Sequence, residues 1–163
     1  MNKGFTLAET LVVILIAGLL AIIGIPILVN QVNSARSVEA KQNLSALIRA
    51  QADRRIEGQM FEPEDLRTLN TINSKESNKF AYSVDPTSST EGVFMRATPK
   101  PEWASSLKSY FAAVVLFVRG GQPVTVSIIC ESNTITGAHL QKSDLLIDST
   151  RANLECRNNA HRI

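Results

Sequence analysis

The stretch from Leu11 to Val29 carries no charged or polar side chain, and no other feature of the chain limits its folding as strongly. Crossing a hydrocarbon core of about 30 Å as a helix takes roughly 20 apolar residues, so this run is just long enough to span a membrane. The rest of the 163-residue chain alternates in the manner of a water-facing domain, which conceals the segment in any average composition. Ahead of the run stand the start-site amine and Lys3, with no acid before Glu9. The positive-inside rule leaves that end in the cytoplasm and sends the remainder outward. A secretory signal peptide would have a shorter apolar core and a small-x-small cleavage site. After Pro26 the sequence reads Ile27-Leu28-Val29-Asn30-Gln31, with no such site. The apolar helix is therefore expected to remain in the mature protein.

Two details of this segment call for chemistry. Glu9 is an acid at the start of a membrane-spanning run, where desolvation makes ionisable groups functional suspects. The alternative is an interfacial carboxylate that still reaches water and favours the positive end of the helix. Gly18, Gly24 and Pro26 form the second detail. Pro26 has no N–H, and its ring clashes with the carbonyl of Ile22, so the helix is expected to kink or loosen there. A merely bent membrane helix has the same residues.

Beyond Val29 the chain turns polar, yet Val32, Ala35, Leu44, Leu47, Ile48, Ala52 and Ile56 recur at three- and four-residue spacings between Arg36, Glu39, Lys41, Arg49 and Asp53. This reads as one amphipathic helix continuing the first and stopping at Gly58. A helix from Thr6 to Glu57 is on the order of 75 Å long, so its second half is expected to pack on a head domain. The apolar positions do not hold the seven-residue repeat of a coiled coil. Phe61-Glu62-Pro63-Glu64-Asp65-Leu66 reads as a short helix opening. Strands are expected at Lys79–Val84, Gly92–Thr98, Tyr110–Val118 and Val124–Glu131, with Arg119-Gly120-Gly121-Gln122 as a hairpin turn. The fold class is thus α+β: a long N-terminal helix laid on an antiparallel sheet of about four strands, followed by a polar, weakly patterned tail from Ser132 to Ile163.

The two cysteines, Cys130 and Cys156, both lie in the C-terminal part. An even count in an exported domain points to a disulfide, with two buried free thiols as the alternative. The net charge of +2 is small and its cations are scattered, which argues against a nucleic-acid footprint. His139 and His161 are isolated, and no Cys-x-x-Cys or His-x-x-x-His spacing marks a metal site. Asp144 and Asp148, around Leu145-Leu146-Ile147, read as two solvated acids, with a calcium loop as the alternative that would need more oxygen ligands than this stretch supplies. No phosphate loop or nucleophile elbow is present, so no enzyme activity and no cofactor are expected.

The string Lys3-Gly4-Phe5-Thr6-Leu7-Ala8-Glu9-Thr10-Leu11, followed by Val12-Val13-Ile14-Leu15-Ile16-Ala17-Gly18, resembles the class III leader of type IV pilins and their relatives. The resemblance implies a cut by a prepilin peptidase after Gly4 and N-methylation of the new terminal Phe5. Glu9 is then the fifth residue of the mature chain, placed to face the Phe5 ammonium of a neighbouring subunit and to set axial register. In the family the helix loosens between the positions matching Gly18 and Pro26 on entering the filament. A Cys130–Cys156 bridge resembles the cysteine-bounded C-terminal loop of the pilin fold, and sheet followed by cysteine loop is also similar to cyanobacterial members.

The organisation implied is a leader at 1–4, a transmembrane and filament-core helix at 5–29, an amphipathic head helix at 30–57, and a connecting loop, sheet and cysteine loop at 58–163. The implied function is a structural subunit, major or minor, of a pilus supporting motility, adhesion or DNA uptake. Its implied partners are itself, other pilins, the peptidase and the inner-membrane assembly machinery. The precursor would cross the inner membrane once, N-terminus cytoplasmic, and the mature subunit would reach an extracellular filament. A type II secretion pseudopilin shares the leader, and a signal-anchored extracytoplasmic binding module remains as the reading from another class.

Overall fold

The computed structural model describes residues 6–62, 79–135, 140–158 and 160–163; at 23, 24, 26, 27, 29, 30 and 33 it describes the backbone alone. Of the helix opening expected at Phe61–Leu66, Phe61 and Glu62 are described and are not helical, and the rest lies outside these residues. The chain divides into two compact units, one up to Ala35 and one from Arg36 to Ile163. A single helix, α1 (Leu7–Ile56), supplies residues to both. It runs unbroken through Gly18, Gly24 and Pro26, although proline cannot donate to the Ile22 carbonyl. It ends where the sequence places its stop. Gly58 has φ +79°, its N–H bonds the Arg55 carbonyl (3.2 Å), and the Gln59 N–H bonds the Arg54 carbonyl (2.9 Å). That pair of bonds is a Schellman cap, which requires a residue tolerant of positive φ.

In the second unit α1 buries the stripe Ala40, Leu44, Leu47 and Gln51, stepping by three and four residues. Of the expected apolar positions, Leu44 and Leu47 are fully buried and Ile48 and Ala52 half-buried, whereas Val32, Ala35 and Ile56 are exposed. Gln51, a polar residue in this buried stripe, is accommodated because both ends of its amide are used. Its Nε2 donates to the Glu62 carbonyl (2.8 Å) and its Oε1 accepts from the Glu62 N–H (2.9 Å), tying the returning chain to the helix.

Among the described residues seven strands follow: β1 (Phe80–Val84), β2 (Gly92–Pro99), β3 (Tyr110–Arg119), β4 (Gln122–Ser132), β5 (Leu145–Asp148), β6 (Asn153–Cys156) and β7 (Ala160–Arg162). The first four coincide with the expected strands to within two residues. Gly120 and Gly121, at φ +59° and +79°, make the β3–β4 turn and fix the pairing of Arg119 with Gln122. The sheet has five strands rather than four, in the antiparallel order β1-β2-β3-β4-β7, and β5 and β6 form a separate pair. The tail read as unpatterned therefore contributes three strands. Each has four residues or fewer, too short to display a period of two.

Period-two alternation sends the sheet's side chains to two cores. Phe80, Tyr82, Val93, Met95, Tyr110, Ala112 and Val114 pack with Leu44 and Leu47 of α1. Phe94, Phe111, Ala113, Phe117 and Ile128 pack with Leu140, Leu145 and Leu154 of the tail. The head is a sheet covered on one face by the helix and on the other by its own C-terminal segment.

Candidate functional site

The N-terminus of α1 is built by Thr6 and Glu9. The Thr6 N–H and hydroxyl both donate to Glu9 Oε2 (2.8 Å each), and the Glu9 N–H donates to Thr6 Oγ1 (3.3 Å). This reciprocal pattern is a capping box, which satisfies two amide donors that a helix start leaves without partners. Thr6-Leu7-Ala8-Glu9 carries that signature in the sequence, where attention to the acid alone passes over it. Gly4 and Phe5 lie outside the described residues.

From this cap onward the large side chains are outward and open. Leu7, Leu11, Val12, Val13, Ile14, Leu15, Ile16, Leu19, Leu20, Ile22, Ile25 and Leu28 are all exposed. They surround the helix rather than forming one stripe, as on a helix buried by other molecules or by lipid. A Cβ at Gly18 would meet nothing within 4 Å. Among the described residues no helix is long and apolar enough to cross a membrane.

In the second unit Cys130 and Cys156 are bonded, with Cα atoms 5.8 Å apart. The bond joins β4 to β6 and encloses the segment that covers the back of the sheet. Of the sequence-singled residues these two are brought together; Glu9 and Gly18 belong to the other unit.

Two buried carboxylates form nodes that the sequence does not announce. Glu131 on β4 meets Lys108 Nζ (2.8 Å) and Lys41 Nζ of α1 (2.9 Å), with His161 Nε2 at 3.9 Å. Burial pushes its carboxyl up, but the hydrogen bonds and charges of Lys108 and Lys41 outweigh that and hold it below the usual range. The node fastens helix to sheet. Burial, with the Glu131 charge adding to it, pushes the neighbouring Tyr110 phenol up to about 12. Asp85 accepts from the Thr87 N–H (2.9 Å) and hydroxyl (2.7 Å) and pairs with Arg96. Burial raises its carboxyl too, and these partners again bring it below the ordinary value. No sequence signal marks either node, because a charged residue in a strand, as Glu131 is, or just past one, as Asp85 is, reads as solvent-facing.

Asp144 and Asp148 are spent on backbone. Asp144 Oδ2 accepts from the Gln141 N–H (2.9 Å), and Asp148 Oδ1 accepts from the N–H groups of Thr150 and Arg151 (3.0 and 3.1 Å). Among the described residues no three His, Cys, Asp or Glu side chains converge as metal ligands. His139 lies outside them.

No curated protein and no solved structure matches the chain. A model of the type IV pilin-like G and H family matches residues 37–156. That match begins past the apolar segment and rests on the head alone, so it is independent of the leader string that carries the sequence resemblance. A helix-backed antiparallel sheet, a cysteine-closed tail and a family model covering well over half of the chain agree: the protein belongs to the type IV pilin-like G and H family.

Proposed function

We propose that this chain is a structural subunit, pilin or minor pilin, of a type IV pilus filament. The reading is carried by one observation in a member of a pilin-like family: the first half of α1 exposes apolar side chains on every side, with Ile22 72% exposed. So much apolar surface calls for lipid or for neighbouring helices, and a pilin uses both in turn. The precursor is held in the inner membrane by residues 5–29 with its N-terminus in the cytoplasm. A prepilin peptidase then cuts between Gly4 and Phe5, and Phe5 is methylated. Assembly moves the same helix from lipid into the filament, where the segment from Gly18 to Pro26 loosens and lets it extend under load.

Glu9 has two successive parts in this scheme. Within the subunit it closes the capping box with Thr6. In the filament its carboxylate faces the Phe5 ammonium of a neighbour, an amine whose reference pKa is near 8. An acid left unpaired among packed helices is disfavoured, so the pair selects one axial register. The test is the mass and N-terminal sequence of the protein recovered from surface-sheared material. A chain beginning at methylated Phe5 is expected; an uncut Met1, or no release by shearing, would overturn the reading.

A further inference from the structure

The chain enters the head unit at Arg36, and the residues gathered round that point come from several other parts of the unit. The Arg36 guanidinium lies over the Trp103 ring, 4.1 Å from its centroid. Trp103 ends the 3₁₀ turn Pro101–Trp103, and its carbonyl accepts from the Leu107 N–H (3.0 Å) and the Ser106 hydroxyl (3.2 Å). The ring is half-buried, packed in part on the core beneath it. Lys100 precedes the turn, and its N–H donates to the Lys79 carbonyl (2.8 Å).

This end of the head is basic. Glu39, three residues past Arg36, is met by Lys79 (3.5 Å), and Glu131 is met by both Lys41 and Lys108 (2.9 and 2.8 Å). Counting Arg36, Lys100 and Glu102 as well, cations outnumber acids here by two, which equals the net charge of +2 on the whole chain. The end is also placed by the sequence. Val29 closes the apolar run seven residues before Arg36, roughly 10 Å of helix at 1.5 Å per residue. The headgroup layer outside a hydrocarbon core is about 5–8 Å thick. Because each Cα–Cβ bond in a helix leans toward the N-terminus, the Arg36 side chain starts back along α1 toward that layer.

Tryptophan is enriched where a protein meets headgroups, and cations beside a membrane helix are drawn to anionic lipid. We propose that this end of the head, Trp103 with Arg36 and Lys100, rests on anionic phospholipid headgroups of the bilayer that holds the precursor. The proposal rests on the membrane-held precursor of the filament reading above. The contact seats the head before assembly and is broken when the helix leaves the lipid.

The test reconstitutes the full-length protein into vesicles of phosphatidylcholine alone or with about one quarter phosphatidylglycerol, all carrying brominated phosphatidylcholine. Trp103 is the single tryptophan of the chain, so quenching of its emission reports the approach of the head to lipid and not that of α1. Quenching is expected to be about twofold greater in the anionic vesicles. That excess is expected to vanish at about 1 M salt, where the Debye length is about 3 Å. Lys100→Glu cancels the local surplus of cations and is expected to abolish the difference between the two lipids. An intact Cys130–Cys156 bond on non-reducing gels reports that the variant head stays folded. Flotation with the vesicles separates this inference from the reading beneath it. Protein that floats but is quenched equally in both lipids, or keeps its excess in salt or in Lys100→Glu, overturns the headgroup contact and leaves the membrane anchor standing. Protein that does not float removes both.

Discussion

Leu15 and Leu44 are the same side chain on the same helix, yet Leu44 is 0% exposed and Leu15 is 59% exposed. The two positions obey different rules. Leu44 is one of a stripe, flanked by charge, and the sheet supplied by the rest of the chain covers it. Leu15 has exposed apolar neighbours all round the helix, and under the proposed function what covers them is a neighbouring subunit or lipid. Mutations in the unit from Arg36 should therefore report on folding, and mutations in the unit up to Ala35 on insertion and assembly.

The largest expected separation comes from the disulfide. Replacing Cys130 and Cys156 together by Ser opens a loop with a sequence separation of 26 and should lower the head's unfolding free energy by about 3–4 kcal/mol on the chain-entropy account. Urea denaturation followed by Trp103 fluorescence measures it. A loss below about 1 kcal/mol would mean that β5, β6 and β7 hold the back of the sheet unaided. Next in size, Leu47→Ala should cost about 3 kcal/mol in the same assay, as a fully buried leucine does. Leu15→Ala should leave the head unchanged within about 0.5 kcal/mol. Equal effects from these two leucines would erase the distinction between the units.

A smaller effect should appear in acid in the head. Glu131 and Asp85 have folded values held below their ordinary 4.5 and 3.8, so the folded state binds their protons more weakly than the unfolded state does. Their contribution is fully present above those ordinary values and is lost as pH falls through them toward the folded ones. Head stability should thus decline below about pH 4.5, and Glu131→Gln should flatten part of the decline. An identical slope in the variant would remove Glu131 as a source. At the alkaline end the sign reverses. Tyr82 and Tyr110, raised from 10.0 to about 12, contribute fully below pH 10 and lose that contribution as pH rises toward 12.

The same contrast explains what could be read without a structure. Strands β1 to β4 are legible because each is a run of five or more residues rich in β-branched or aromatic side chains, bounded by Gly, Pro or Ser. The Gly58 stop and the Gly120-Gly121 turn are legible because both need positive φ. Strand β7 is three residues long and owes its conformation to pairing with Cys130–Ser132, a tertiary fact with no local trace. Gln51 is buried by a bond to Glu62 across a helix cap, so hydropathy misplaces it. The candidate site divides in the same way. Glu9 stands out by its chemistry against an apolar run, whereas the partners of Glu131 come from α1, β7 and the segment before β3, a convergence that only the fold creates.

The smallest effect on the head, none, is expected at Glu9, and there the two roles of one carboxylate can be separated. A capping box accepts glutamine at its third position almost as well as glutamate, because the side-chain oxygen still takes the Thr6 N–H and hydroxyl bonds. Glu9→Gln therefore keeps the cap and deletes the charge, while Glu9→Ala deletes both. If the carboxylate's task in assembly is to neutralise a neighbour's Phe5 ammonium, both variants should be cut and inserted normally and yield few sheared filaments. If the helix start is what assembly needs, Glu9→Gln should assemble as the wild type does and only Glu9→Ala should fail. The charge reading predicts the first pattern, and wild-type filament yield from Glu9→Gln would refute it while leaving the cap intact.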